Sequence, residues 1–162
     1  MIEYSVLFVC TGNTCRSPMA QGLAIEALSR VKGVPADQLE QAGVRVRSAG
    51  VFAAGGSPAS PEAVAVMAGQ NIDIAGHQSQ PLTEALVQDA DVIYTMTDGH
   101  RQAALGLSPQ AAEKICCLDP EQDVIDPIGM GQEIYEMTAQ MIRQAIERRV
   151  AERFGDGTPN PS

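Results

Sequence analysis

Residues Val6–Ala20 read VLFVCTGNTCRSPMA, and the fold turns on how this stretch is parsed. Val6 to Val9 are apolar without alternation, the pattern of a strand buried on both faces. The run passes through Cys10 into a small polar turn, Thr11-Gly12-Asn13-Thr14, and then meets Arg16-Ser17-Pro18 and a helix-forming segment from Met19 to Leu28. Ser17 suits an N-cap and Pro18 the first helical position, where the missing N–H costs nothing. The segment therefore predicts strand, tight loop and helix. Backbone amides of such a loop, facing the positive end of a helix dipole, cradle a phosphate-like dianion.

Cys10 opens the loop and Arg16 closes it. A thiol ringed by amides, an Arg and a helix N-terminus is favoured as thiolate, and a thiolate beneath a bound phosphate is placed for in-line attack on phosphorus. The Arg offers a planar fork to two equatorial oxygens and meets transition-state charge. The spacing Cys-x5-Arg says little alone in a chain with four Cys and nine Arg. The whole string says much more. Cys10, Gly12, Asn13, Cys15, Arg16 and Ser17 match the signature Cys-x-Gly-Asn-x-Cys-Arg-Ser, so the chain resembles the low-molecular-weight protein tyrosine phosphatases.

The rest of the chain alternates strand and helix signals. A first helix is expected from about Pro18 to Val31, with Leu23, Ala24, Ala27, Leu28 and Val31 inward, ended by Lys32-Gly33-Val34-Pro35. Val44–Ser48 alternates as a strand, and the following Ala49-Gly50 completes a Ser-Ala-Gly that is also similar to the family. Ser60-Pro61-Glu62 starts a helix to about Gln70; residues 72–80 read as irregular. A short helix over 82–90, capped near Thr83, leads to a buried strand at Asp91–Met96. A helix at Thr97–Leu107, a strand at Lys114–Leu118 and a helix from about Gln132 to Phe154 complete the pattern. On that last helix Ile134, Met137, Met141, Ile142, Ala145, Ile146 and Val150 form the apolar stripe. The expected fold class is α/β, a single domain over residues 1–154. It has an open parallel sheet of about four strands, helices on both faces and the phosphate loop after the first strand. Residues 155–162 read as a disordered tail.

Composition narrows the partners. The 162 residues carry a net charge of −9, which argues against nucleic acid or anionic membrane and confines anion binding to the amides and Arg16. No apolar run approaches a membrane span, and Glu3 ahead of a short apolar run is unlike a secretion signal. The reading is a cytoplasmic protein, monomeric by default, in the reducing compartment that a catalytic thiol needs. Cys10, Cys15, Cys116 and Cys117, with His77 and His100, make no metal-ligand spacing, so neither metal nor cofactor is expected.

A leaving group needs a proton, and Asp123-Val124-Ile125-Asp126-Pro127 can give one. Pro127 stiffens the chain after Asp126, and the segment resembles the Asp-Pro loop that carries the family's general acid; Asp123 is the neighbouring alternative, without a following Pro. The resemblance implies a phosphoprotein phosphatase with a cysteinyl-phosphate intermediate. Cys10 is then nucleophile, Arg16 the phosphoryl ligand and Asp126 the acid, with Thr11, Gly12, Asn13, Thr14, Cys15 and Arg16 around the phosphate. It also implies Cys15 as a reversible disulfide partner of Cys10, Ser17 as helix cap or as donor to the Cys10 sulfur, and His77, with Ser79 nearby, as loop support. Asn13 is expected in a left-handed conformation.

Departures from the tyrosine-directed pattern bear on substrate. Ile128 replaces an aromatic that would wall a slot for a phenyl ring, Thr14 replaces an apolar Ile, and His100 replaces an Asn. Thr14 and His100, with Pro81-Leu82-Thr83-Glu84, resemble the bacterial protein arginine phosphatases, and the missing aromatic at 128 weighs against a phenyl ring, so the expected substrate is a protein phosphorylated on Arg, or alternatively on Tyr. An arsenate reductase on the same fold needs two further cysteines around positions 80–90, where this chain has none. A catalytically dead phosphate-binding module fits poorly with Cys10, Arg16 and Asp126 all present. Cys116 and Cys117 read as filler in the core.

Overall fold

The computed structural model describes residues 1–155. Four strands, β1 (Tyr4–Cys10), β2 (Val44–Gly50), β3 (Val92–Thr95) and β4 (Ile115–Cys117), form one sheet in the order β2-β1-β3-β4. Every pairing is parallel. Five helices connect and follow them: α1 (Arg16–Lys32), α2 (Pro61–Ala68), α3 (Glu84–Asp89), α4 (Asp98–Leu107) and α5 (Gln132–Phe154). The α/β class and the four-stranded open sheet are thus as expected.

All seven residues of β1 are buried because the strand serves two cores at once. Tyr4, Val6, Phe8 and Cys10 point to one face, where Met19, Leu23 and Leu28 of α1, Met67 of α2 and Tyr135, Ile142 and Ile146 of α5 close over them. Leu7 and Val9 point to the other, against Val87 of α3, Ile93 of β3 and Ala104 of α4. Alternate side chains of one strand feed opposite faces, which explains the unbroken apolar run. Cys10, last in the strand, is delivered to the α1–α5 side at the carboxyl edge of the sheet.

The local signals for helix ends hold at several places. Ser60 accepts from the Ala63 N–H at 3.3 Å and Thr83 from the Leu86 N–H at 3.2 Å. Gly33 ends α1 in the left-handed region, φ 68°, with its N–H on the Arg30 carbonyl. The start of α1 differs from expectation. Cys15, not Ser17, is the N-cap, and Ser17 lies inside the helix. Its hydroxyl is taken by Cys10 and Asn13, tertiary partners that outweigh the local capping preference.

The inward face of α5 also differs. Tyr135, Thr138, Ala139, Ile142, Ala145 and Ile146 are buried, whereas Met137 is 52% exposed and Ile134, Met141 and Val150 lie only partly covered. Small residues at 139 and 145 let α5 approach α1, and Tyr135 turns inward to reach Cys15, which shifts the buried stripe around the helix. Val31 of α1 is likewise only partly covered. Of the expected tail, Gly155 closes α5 through its N–H to the Ala151 carbonyl at 2.8 Å, and residues 156–162 lie outside those described. Among the described residues no helix is long and apolar enough to cross a membrane.

Candidate active site

Thr11 to Cys15 leave the end of β1 and turn directly into α1. The turn is held shut by Asn13, which is fully buried and adopts φ 57°, the left-handed conformation Asn tolerates. Its amide nitrogen donates to Ser17 Oγ at 2.8 Å and Ser48 Oγ at 2.9 Å, and its Oδ1 accepts from the Gln80 N–H at 2.9 Å. The Ser48 hydroxyl in turn donates to Gln21 Oε1 at 2.6 Å. His77 Nε2 donates to the Asn13 carbonyl at 2.7 Å, a further tie on the turn. Ser79 instead holds the segment around residues 54–57, donating to the Ala54 carbonyl and accepting from the Ser57 N–H.

Gly50, at the end of β2, leaves room for the loop. A Cβ there would stand 2.4 Å from the Thr11 carbonyl oxygen and 2.9 Å from the Asn13 nitrogen. The backbone exploits that close approach: Val51 and Phe52 N–H groups donate to the carbonyls of Cys10 and Thr11, each at 2.9 Å.

The thiol of Cys10 lies at the bottom, 2% exposed. The Asn13 N–H donates to its sulfur at 3.2 Å, and the Ser17 hydroxyl lies 2.8 Å away. A thiolate has no proton to give, so in that state Ser17 is the donor. Cys15 does not share these partners. Its S–H donates to Ser60 Oγ at 3.5 Å, and its sulfur lies 3.3 Å from the Tyr135 hydroxyl. Burial, and then the Cys15 contact, push the Tyr135 phenol up to about 12, which keeps it protonated.

Arg16 is the second buried group, only 4% exposed. Nη1 donates to the Val124 carbonyl at 3.0 Å and Nη2 to Thr11 Oγ1 at 3.4 Å. Nη2 also lies 3.5 Å from Asp126 Oδ2, an ion pair between a covered guanidinium and a carboxylate with 45% side-chain exposure. The other Asp126 oxygen accepts the Ile128 N–H at 3.1 Å, a turn that fixes the carboxylate beside the loop. Asp123 is engaged elsewhere, its Oδ1 accepting from the Asp98 N–H at 2.9 Å. Of the two acids considered from sequence, Asp126 is the one that reaches Arg16.

Two further features stand around the mouth. His100 Nε2 lies 2.8 Å from Thr11 Oγ1. Its pKa is pushed down to about 4, by burial first and then by Arg16, against opposing pulls from Asp123 and Asp126. Exposed apolar side chains occur at Phe52, whose N–H is bound to the Thr11 carbonyl, and at Ile125 and Ile128, chain neighbours of Asp126. Cys116 and Cys117 are half-buried in β4, with the Cys117 carbonyl held by Arg149, and take no part. Among the described residues no three His, Cys, Asp or Glu side chains converge as a metal site. Sequence reading did not single out Ser48, Gln80 or Gly50 as props of the loop, nor Tyr135. Ser48 and Gly50 fall within the Ser-Ala-Gly at the end of β2, the one signal available for them.

The whole arrangement can hold an oxyanion over a thiol, with a buried guanidinium and a carboxylate at its rim. The sequence model described as low molecular weight phosphotyrosine protein phosphatase matches residues 5–153. A protein-arginine-phosphatase from Geobacillus stearothermophilus is 38% identical over 152 residues, covering 91% of this chain and 94% of that protein. The low molecular weight protein tyrosine phosphatase from T. tengcongensis superposes with a TM-score of 0.82 at 38% identity, over 93% of this chain and 99% of the other. A mutant YwlE arginine phosphatase with a phosphorylated active-site serine superposes with a TM-score of 0.79 at 32% identity, over 95% and 99% of the two chains. The chain belongs to the low molecular weight phosphotyrosine protein phosphatase family, and it is a cysteine-dependent phosphatase.

Proposed function

We propose that the protein hydrolyses phosphoarginine in phosphorylated proteins, with Cys10, Arg16 and Asp126 as its catalytic residues. What carries the chemistry is the convergence on one loop of a buried thiol, a buried guanidinium and a half-exposed carboxylate. The Cys10 thiolate attacks phosphorus while the loop amides of residues 11–16 and the Arg16 fork bind the equatorial oxygens. The bond from phosphorus to the leaving nitrogen breaks as Asp126 delivers its proton to that nitrogen. A water then attacks the cysteinyl phosphate, Asp126 takes its proton, and the sulfur leaves with the Ser17 hydroxyl donating to it at 2.8 Å. The serine phosphorylated in the related YwlE mutant supports a covalent intermediate at the same step. The compartment that suits such a thiol is a reducing one, the cytoplasm.

Thr14 supports Arg over Tyr as the phosphorylated residue. It is half-buried, its carbonyl accepts from the Ser60 N–H at 2.8 Å, and its hydroxyl lies 3.8 Å from the Cys15 sulfur. A hydroxyl there suits a guanidinium or the attacking water, and the net charge of −9 suits a cationic substrate. Phosphotyrosine is the second reading, favoured by exposed Phe52 beside the loop and by the likeness to the T. tengcongensis enzyme. Thr14→Ile decides between them. Relative to p-nitrophenyl phosphate, kcat/KM for phosphoarginine should fall at least about tenfold, as when a polar contact to substrate is removed, while phosphotyrosine holds or gains. An unchanged ratio of the two substrates refutes the assignment to Arg and leaves the phosphatase chemistry intact.

A further inference from the structure

One buried imidazole at the site has no part in the chemistry above. His100 is the third residue of α4, and its root is fixed from two sides. Its N–H donates to Thr97 Oγ1 at 3.1 Å, while the neighbouring Asp98 N–H is bound to Asp123 in the acid loop. The ring is 6% exposed, Nε2 lies 2.8 Å from Thr11 Oγ1, and Nδ1 has no hydrogen-bond partner.

The proton on this ring can be placed by satisfaction of donors. A neutral imidazole carries one N–H. On Nδ1 it would be a buried donor without an acceptor, which folded proteins rarely keep; on Nε2 it donates to Thr11 and leaves only a bare ring lone pair. Burial and Arg16 lower the His100 pKa to about 4, so the ring is neutral near pH 7 and this choice applies. With Nε2–H donating, the two lone pairs of Thr11 Oγ1 are taken by His100 and by Arg16 Nη2. The hydroxyl is then held as an acceptor for the guanidinium.

We propose that His100 is a positioning residue for Arg16, acting through Thr11. The Val124 carbonyl anchors the Nη1 side of the guanidinium, and the His100–Thr11 pair anchors the Nη2 side. With the Asp126 carboxylate also 3.5 Å from Nη2, anchors at both ends of one planar group fix its orientation, which a fork meant for a transferring phosphoryl group requires. His100 itself need not touch substrate. The inference rests on Arg16 as the phosphoryl ligand and is independent of which phosphorylated residue the enzyme prefers.

The test compares His100→Phe, His100→Gln, Thr11→Val, Thr11→Ser and the double variant His100→Phe/Thr11→Val. It uses p-nitrophenyl phosphate, inhibition by vanadate and by inorganic phosphate, and Tm. Loss of one aligning hydrogen bond should lower kcat/KM of His100→Phe about tenfold, mainly in kcat. Inhibition by vanadate, which imitates the five-coordinate transition state, should weaken more than inhibition by phosphate. His100→Gln, which restores an N–H near the Nε2 position, should recover most of the rate. Thr11→Val should reproduce the loss, Thr11→Ser, which keeps the hydroxyl, should lose less than Thr11→Val, and the double variant should be no slower than either single. Losses that multiply in the double variant, or no gain from Gln over Phe, overturn the proposal. If His100→Phe fails to fold, the Thr11 pair still decides, because a Thr11→Val enzyme of normal rate removes the link to Arg16. A failed phosphoarginine assignment would show in the Thr14→Ile substrate ratio and leave every readout here unchanged.

Discussion

Adding a single methyl at Gly50 tests whether the loop owes its shape to the close contact with β2. In Gly50→Ala the new Cβ meets the Thr11 carbonyl oxygen at 2.4 Å, the Asn13 nitrogen at 2.9 Å and Ala53 Cβ at 2.9 Å. Ordinary contact begins near 3.4 Å, so about 1 Å of displacement must be found, and two of the three obstacles are backbone. Strand β2 has little freedom to retreat. Gly50 N–H donates to the Gln80 carbonyl at 3.0 Å, its carbonyl accepts from Leu82 N–H at 2.8 Å, and the strand pairs with β1 over its full length. The loop must therefore move. Overpacking of this kind costs about 1–3 kcal/mol, which for a chain of this size lowers Tm by roughly 3–10 °C. Misplacing oxyanion ligands by about 1 Å costs on the order of a hundredfold in rate. The assay is kcat/KM on p-nitrophenyl phosphate with Tm by calorimetry. Gly106→Ala, where a Cβ meets nothing within 4 Å in α4, serves as the control and should be neutral or slightly stabilising. A Gly50→Ala enzyme with parental rate and Tm would refute the reasoning.

Other outcomes follow from the same geometry. Asp126→Asn cannot give a proton, so phenyl phosphate should slow by about a hundredfold or more and p-nitrophenyl phosphate by far less; equal slowing would make Asp126 merely a partner for Arg16. Peroxide oxidises Cys10 to a sulfenic acid that condenses with the Cys15 thiol, releasing water and forming a disulfide that reductant reverses. Cys15→Ser should then fail to recover after peroxide, and recovery as full as the parent's would refute the protective role. Buried neutral, His100 titrates near 4 in the folded chain against about 6.5 unfolded, so the unfolded chain binds the proton first as pH falls. Its contribution to stability is complete above pH 6.5 and is lost toward pH 4, up to about 3 kcal/mol. Urea midpoints should fall more steeply over that range for the parent than for His100→Phe, and parallel slopes would refute it.

What could be read from the sequence was whatever is local. The apolar run of β1, the caps at Ser60 and Thr83, and the stop at Gly33 are decided by neighbours in the chain, and each stands where it was expected. The loop residues from Cys10 to Ser17 form one short string and come together in space. Ser17 shows where local rules fail. As an isolated signal it caps a helix, yet Asn13 and Cys10 claim its hydroxyl and the helix starts earlier. The inward face of α5 is set by Tyr135 reaching Cys15, 120 positions away, which no periodicity encodes. Props such as Ser48, Gln80 and Gly50 are plain residue types whose importance lies in what they face.

Asn13 makes the strand–loop–helix motif a dependent structure. A fragment ending at Lys32 would contain β1, the loop, α1 and every residue of the signature. It would lack three of the five residues hydrogen-bonded to Asn13, namely Ser48, His77 and Gln80, keeping only Cys10 and Ser17. The loop can take its final shape only after β2 and the segment through Gln80 have docked, so it is completed by residues 35 to 67 positions further along the chain. The motif is one continuous phrase in the sequence, but as a physical object it spans half the chain.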